Sequence, residues 1–343
     1  MNDPRLDSLA AQIDVKAPWN HPKAKEWDAV SFDEWLKRWA WLADARFMLD
    51  IASRAVWGAE PREMSLLYVL SYIAGAGNEA KRGTLDRLLA VQNGAQESRV
   101  VGGTGLICKR LLRKIGAENL VVGAAVQKVV SIDSEGYEIR WGEESVQAKR
   151  VIIAIAPPLI ERIEFEPALP EPRRMLNKGM TMGQMGKAIA VYDSPWWRDE
   201  GLNAQIFSDE GVIGLTFDNS PEDGSFGAIL SFFQGDVMRE VDKMPIDEIK
   251  QKVLGELVRY LGPKAAGITD FTVQRWGLEE HLWGGPTAVA PKNIFSQYGS
   301  ALRKPVGGIH FAGTETSEYW PGYMDGAIRS GKRAAQEIVD SLK

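Results

Sequence analysis

The segment that most constrains the fold lies near the C-terminus. His310-Phe311-Ala312-Gly313-Thr314-Glu315-Thr316 leads through Tyr319-Trp320-Pro321 into Gly322-Tyr323-Met324-Asp325-Gly326-Ala327. An apolar run ending in glycine, a polar turn with a carboxylate, and small residues opening a helical pattern read as strand, turn and helix. The pattern predicts a strand over residues 307–313 and a helix over about 322–341. The first amides of such a helix lack intrahelical partners and carry the positive end of its dipole. They suit an electron-rich ligand group. Gly326 would let the helix approach a neighbour closely, and Tyr319, Trp320 and Tyr323 offer rigid walls.

Elsewhere helical and strand patterns alternate. Ser31 and Glu34 form a capping box, with Val30 and Trp35 placed as a hydrophobic staple. The helix they start is expected to run through Leu36, Trp39, Leu42 and Phe47. Residues 100–122 read as a Gly-rich loop, a helix and the start of a strand. Short β-branched runs then continue to Pro157-Pro158, a pattern that predicts an antiparallel meander. Strand patterns return in KAIAVYD, GVIGLTFD and FGAILSFFQG, followed by a helix over Ile246–Leu261 with Leu254, Leu257 and Leu261 on its apolar side. The expectation is a mixed α/β chain of two interleaved domains.

Composition removes several function classes. The 343 residues carry a net charge of −5, so the basic footprint of a nucleic-acid binder is missing. Cys108 is the only cysteine and the three histidines are scattered, which argues against a disulfide framework or a Cys/His metal site. No apolar run reaches the ~20 residues of a membrane span, and MNDPRLDSLA lacks the features of a signal peptide. A cytoplasmic protein is expected. Twelve tryptophans fit either ligand walls or core packing.

One motif misleads. Gly75-Ala76-Gly77-Asn78-Glu79-Ala80 fits G-x-G-x-x-G/A, with Glu97 downstream at the spacing of a dinucleotide fingerprint. However, Leu66, Leu70 and Ile73 before it share one helical face, and Gly83 interrupts the helix that should follow. A glycine-rich helix C-terminus is the better account. Gly102-Gly103-Thr104-Gly105, ahead of a predicted helix, fits an oxygen-rich ligand and a tight positive-φ loop equally well.

The tail, FAGTET…W-x-GYMDGAIRSGKRAA, closely resembles the C-terminal signature of the flavin-dependent monoamine oxidases of fungal and bacterial type. Other segments resemble the family in the same order: Asn93–Glu97 through Gly105, residues 151–158 ending in Pro-Pro, Gly186-Lys187-Ala188, and Trp276 with Trp283-Gly284-Gly285. The resemblance spans residue 18 to the C-terminus. It implies an amine-oxidase-like two-domain fold, with residues 1–99 and 176–279 binding substrate and residues 100–175 and 280–343 forming the remaining FAD-binding part. The implied reaction is oxidative deamination of a primary or other small amine. A hydride equivalent passes to flavin N5, and O2 is reduced to H2O2. The flavin supplies the hard chemistry while the protein orients, dries and tunes the site.

Residue by residue, the resemblance implies that Lys187 is the catalytic lysine reaching the flavin through a water. Tyr323 matches one wall of an aromatic cage around the amine, whose nitrogen is attracted to electron-rich ring faces. Phe232 and Gln96 match pocket-lining positions, with core packing an equal alternative for each. Trp276, Gly313, Thr314, Glu315, Gly322 and Met324 match FAD-contacting positions, and Val126 one whose backbone meets the adenine side. The Gly284-Gly285 pair is followed by Pro286 where mammalian members carry the cysteine that binds flavin, so non-covalent FAD is expected. Thr287 stands near the second cage position, so Trp283 is expected to supply that aromatic. The family's opening strand–G-x-G-x-x-G–helix unit has no counterpart ahead of residue 18, so a truncated chain lacking that unit, with its activity alone left open, is also expected. The resemblance admits a homodimer. A non-catalytic binding module, or an amino-acid or polyamine oxidase, remain alternatives.

Overall fold

The computed structural model describes residues 4–39, 43–132 and 136–343. Its strands, in chain order, begin with β1 (Lys128–Ile132), β2 (Gly136–Trp141), β3 (Glu144–Ala148), β4 (Val151–Ile153), β5 (Glu164–Glu166) and β6 (Thr181–Met182). They continue with β7 (Met185–Tyr192), β8 (Leu215–Asp218), β9 (Gly227–Gln234), β10 (Asp270–Arg275), β11 (Ala288–Val289) and β12 (Ile309–Phe311). Chain contacts divide the protein into one unit of residues 1–25, 69–178 and 294–343, and a second of residues 26–68 and 179–293.

In the first unit, β1, β2 and β3 form the expected antiparallel meander, with Val129 opposite Ile139 and Ile139 opposite Val146. β4 does not extend it. It pairs in parallel with β12, Val151 opposite Ile309 and Ile153 opposite Phe311, while β5 joins β1 in parallel. The reason is a partner far along the chain: a short β-branched run fits either pairing, so local pattern cannot distinguish a parallel partner from a meander edge. Val129, Ile153, Ile160, Leu169, Ile309 and Phe311 form the core here. Arg173 is buried against it, its guanidinium 3.7 Å from the Phe311 ring centroid. Its Nη1 donates to Ala301 O (3.1 Å) and Leu302 O (2.9 Å). Burial without a carboxylate lowers its pKa to about 9. The misleading glycine motif follows the helix Leu66–Gly75 rather than a strand, so its backbone context is not that of a dinucleotide fold.

In the second unit the capping box forms as read. Glu34 N donates to Ser31 Oγ (3.1 Å), and Ser31 N to Glu34 Oε2 (2.7 Å). The helix it starts is Phe32–Trp39, and a further helix spans Ala43–Trp57; Leu42 lies outside the described residues. The main sheet is antiparallel in the order β10-β7-β9-β8. Along β7 the side chains alternate, with Ala188, Ala190 and Tyr192 entering the core and Lys187 on the opposite face. Helix Ile246–Leu261 covers that core with Ile249, Val253 and Leu257. The buried stripe is thus set one step earlier than the leucines alone suggest, because Ile249 and Val253 repeat at four-residue spacing.

Trp197, fully buried in this core, directs its indole N–H to Asp218 Oδ2 at 3.0 Å. Burial alone would raise the Asp218 pKa, but donors from Arg198 (2.7 Å), Trp197 and the Ser220 amide (2.9 Å) outweigh it and bring it to about 2. A depressed carboxyl stabilises the fold above its unfolded pKa of about 4, and that stability is lost as pH falls through the folded value. Asp218→Asn is therefore expected to cost about 1 kcal/mol at pH 7. It should also flatten the fall in stability between about pH 4 and pH 2, measured by urea denaturation across that range.

Candidate active site

Two clusters of predicted site residues form, one in each unit. In the second unit, antiparallel register sets Lys187 of β7 opposite Phe232 of β9 and Gln274 of β10. Lys187 Nζ lies 4.9 Å from the Phe232 ring centroid and 5.3 Å from that of Trp276, which opens a 3₁₀ turn directly after β10. Phe217 braces Phe232 edge-on at 6.0 Å. Among the described residues no carboxylate pairs with Lys187. Burial lowers its pKa, and the two ring faces supply the remaining stabilisation of its charge. An ammonium held this way has a weakened grip on its proton and donors left for a water or ligand.

Trp283 belongs to the same unit and remains 40% exposed, whereas Thr287 is buried at 1%. Trp283 adopts φ 58° and Gly284 φ 147°. A β-carbon on Gly284 would lie 2.1 Å from Gly183 O, so only glycine permits this turn. The turn is tied down by Gly285 N donating to Gly183 O (2.8 Å) and Gly183 N to Thr287 O (3.0 Å).

In the first unit, the predicted strand, turn and helix are β12, a 3₁₀ turn over Thr314–Thr316, and the helix Met324–Ser341. Gly313 leaves β12 at φ 100° and Gly322 sits at φ 80°. Thr314 Oγ1 donates to Tyr323 O at 2.9 Å, clasping the turn to the helix start. A β-carbon on Gly326 would lie 2.1 Å from Trp320 O, so the close approach expected of this glycine is real. The helix begins without a side-chain cap, and Met324 is 52% exposed. Its first-turn amides are available to an acceptor. Tyr323 meets Trp320 edge-on at 5.3 Å and its hydroxyl accepts from Gln96 Nε2 at 3.3 Å. Burial pushes the Tyr323 phenol up to about 12. Val126 stands apart from this cluster, ahead of β1, with its side chain packed on the unit's core.

Three residues that sequence reasoning did not single out support the tail. Arg303 donates to four carbonyls: Nε to Thr316 O (2.9 Å), Nη2 to Ser317 O (3.2 Å), and Nη1 to Lys16 O (2.7 Å) and Val15 O (3.3 Å). Arg333 donates through Nη2 to Phe311 O (2.6 Å) and Thr316 Oγ1 (3.0 Å) and through Nη1 to Glu337 Oε1 (2.6 Å). Arg87 lies 5.4 Å above the Trp320 ring. Arg333 and Glu337, four apart beside the buried Ser330 and Ala334, were the one detectable sign that this helix buries charge. Arg303 and Arg87 carried no local signal.

Comparison with known proteins places the chain in a family. The family model of flavin containing amine oxidoreductases matches residues 22–339. AofH of Mycobacterium tuberculosis, named as a flavin-containing monoamine oxidase, is 38% identical over 98% of this chain and 72% of its own length. A flavin-containing amine oxidase of Danio rerio is 34% identical over 98% of this chain and 64% of its own. Cyclohexylamine oxidase from Brevibacterium oxydans superposes with a TM-score of 0.91 at 30% identity, covering 98% of this chain and 73% of that one. Putrescine oxidase bound to putrescine gives 0.87 at 29% identity, with the same coverage. With a family match across nearly its whole length, the chain belongs to the flavin-containing amine oxidoreductases, an oxidoreductase family whose cofactor is FAD.

Proposed function

We propose that this chain oxidises a primary or other small amine to an imine, which hydrolyses to a carbonyl compound and ammonia, while O2 is reduced to H2O2. The observation that carries this reading is Lys187, a half-buried cation beside the Phe232 and Trp276 rings that pairs with no carboxylate among the described residues. The residues fit a flavin. The uncapped helix start at Tyr323 offers amides to a ring carbonyl, and Gly313 turns the backbone at φ 100°, where a β-carbon would be strained. Cys108, the sole cysteine, is exposed on the helix Gly105–Ile115, which supports non-covalent binding. When bound, FAD supplies the two-electron acceptor that takes hydrogen from the amine's α-carbon and passes the electrons to O2.

The protein's own part follows from its side chains. Lys187 Nζ holds a water and supplies or withholds a proton as O2 is reduced. Trp276, Gly313, Thr314, Glu315, Gly322, Met324 and the Val126 backbone hold the cofactor. Tyr323, Trp283, Phe232 and Gln96 line the amine's position, the aromatic faces attracting its nitrogen. In this reading residues 1–99 and 176–279 serve the substrate and residues 100–175 and 280–343 serve FAD. The solved neighbours, one named for cyclohexylamine and one bound to putrescine, support small amines as the substrate class.

Purified chain supplied with FAD is expected to show a bound-flavin spectrum and amine-dependent peroxide; absence of both would overturn the proposal. Lys187→Met should slow reoxidation of the reduced flavin by O2 about 100-fold in stopped-flow traces, since general acid–base groups contribute on that scale. Unchanged reoxidation would remove Lys187 from the site. Tyr323→Leu should lower amine kcat/KM about tenfold, whereas Tyr323→Phe, which keeps the ring face, should stay within about threefold.

A further inference from the structure

Gln184 lies between β6 and β7, and its Nε2 donates to Met182 O and Trp283 O, each at 3.2 Å. Those two carbonyls fix which end of the amide is which, leaving Oε1 as an acceptor. Asp242 caps the helix Gly235–Val241 at its C-terminal end. A β-carbon built on Gly277 would meet Asp242 Oδ2 at 2.7 Å and Gln184 Oε1 at 2.9 Å, so the two oxygens converge over the same glycine. Asp242 Oδ1 is buried and has no hydrogen-bond partner among the described residues. The neighbouring cation, Arg275, is spent on main chain: Nη1 donates to Asp242 O (3.3 Å) and Met244 O (3.1 Å) rather than to the carboxyl. Two acceptors facing one point repel unless a proton stands between them.

We infer that Asp242 is a positioning residue that keeps its carboxyl proton and donates it, directly or through one water, to Gln184 Oε1. Burial favours the protonated form, with the Arg275 charge opposing it. The consequence reaches Trp283. Its carbonyl is gripped by Gln184 Nε2 and its amide donates to Glu279 O at 3.1 Å, which sets a side chain that remains 40% exposed. Asp242 therefore orients, through Gln184, the turn that presents Trp283. A side chain at 277 would displace one of the two oxygens from this arrangement. The effect on catalysis rests on the reading of Trp283 as a wall against the amine.

The test compares the full chain with Asp242→Asn and Asp242→Leu. Asparagine keeps a donor toward Gln184 and cannot ionise; leucine keeps the volume and removes the donor. Infrared difference spectra at pH 7 between wild type and Asp242→Asn should show a protonated-carboxyl stretch that the variant lacks. Asp242→Asn should retain the melting temperature and an amine KM within about twofold of wild type, while Asp242→Leu raises KM about tenfold with kcat little changed. Absence of the protonated band, or an asparagine variant as impaired as the leucine one, would overturn the inference. If Asp242→Leu does not fold, the infrared band and the asparagine variant decide alone. If wild type oxidises no amine, the function proposed above fails, and the band and melting temperatures still decide the protonation of Asp242.

Discussion

The turn that follows β12 depends on guanidinium groups that bind main-chain carbonyls, Arg303 through these alone and Arg333 alongside its pair with Glu337. Arg303 gathers the carbonyls of Val15, Lys16, Thr316 and Ser317, and Arg333 those of Phe311 and the hydroxyl of Thr316. Carbonyls at the end of a strand and through a turn have no ladder partners, so each would be costly to bury unpaired. A planar fork with five donors can serve several of them at once, which an ammonium cannot. Burial brings the Arg303 pKa down to about 10, still far above neutrality, so the grip persists at physiological pH. With the turn held, Gly313, the Thr314 clasp and the uncapped helix start take fixed positions.

The second unit meets the opposite problem, a charge that must stay usable. Lys187 is placed by sheet register, desolvated by its surroundings and flanked by rings instead of an acid. A carboxylate would hold the ammonium more tightly and occupy its donors. Aromatic faces soften the desolvation cost without consuming a hydrogen bond. Alternation along β7 makes this possible: Ala188 and Ala190 pack inward, so the lysine faces away from the core that they help to build.

Much of this was legible beforehand because the deciding forces are local. Ser31 with Glu34, the helix Ile246–Leu261, and the strand–turn–helix of the tail follow from capping and periodicity, and the helix before Gly75 removed the false fingerprint. The site residues were legible only by resemblance, since a lone lysine or tyrosine carries no periodic signal. The parallel pairing of β4 with β12 was not legible, because the partners lie about 160 residues apart and identical runs fit either pairing. Arg303, Arg87 and Asp242 were missed for the same reason: their partners come from distant chain segments.

By itself the sequence determined which stretches become helix or strand, where glycine is needed to turn the backbone, and the family to which the chain is similar. Those are consequences of propensity, period and steric exclusion over a few neighbouring residues. Tertiary structure alone decided which strand ends lie side by side, which lysine is partly desolvated beside aromatic rings, and which buried oxygen lacks a donor. Desolvation and hydrogen-bond satisfaction are properties of what surrounds an atom in space, and a chain position does not carry them.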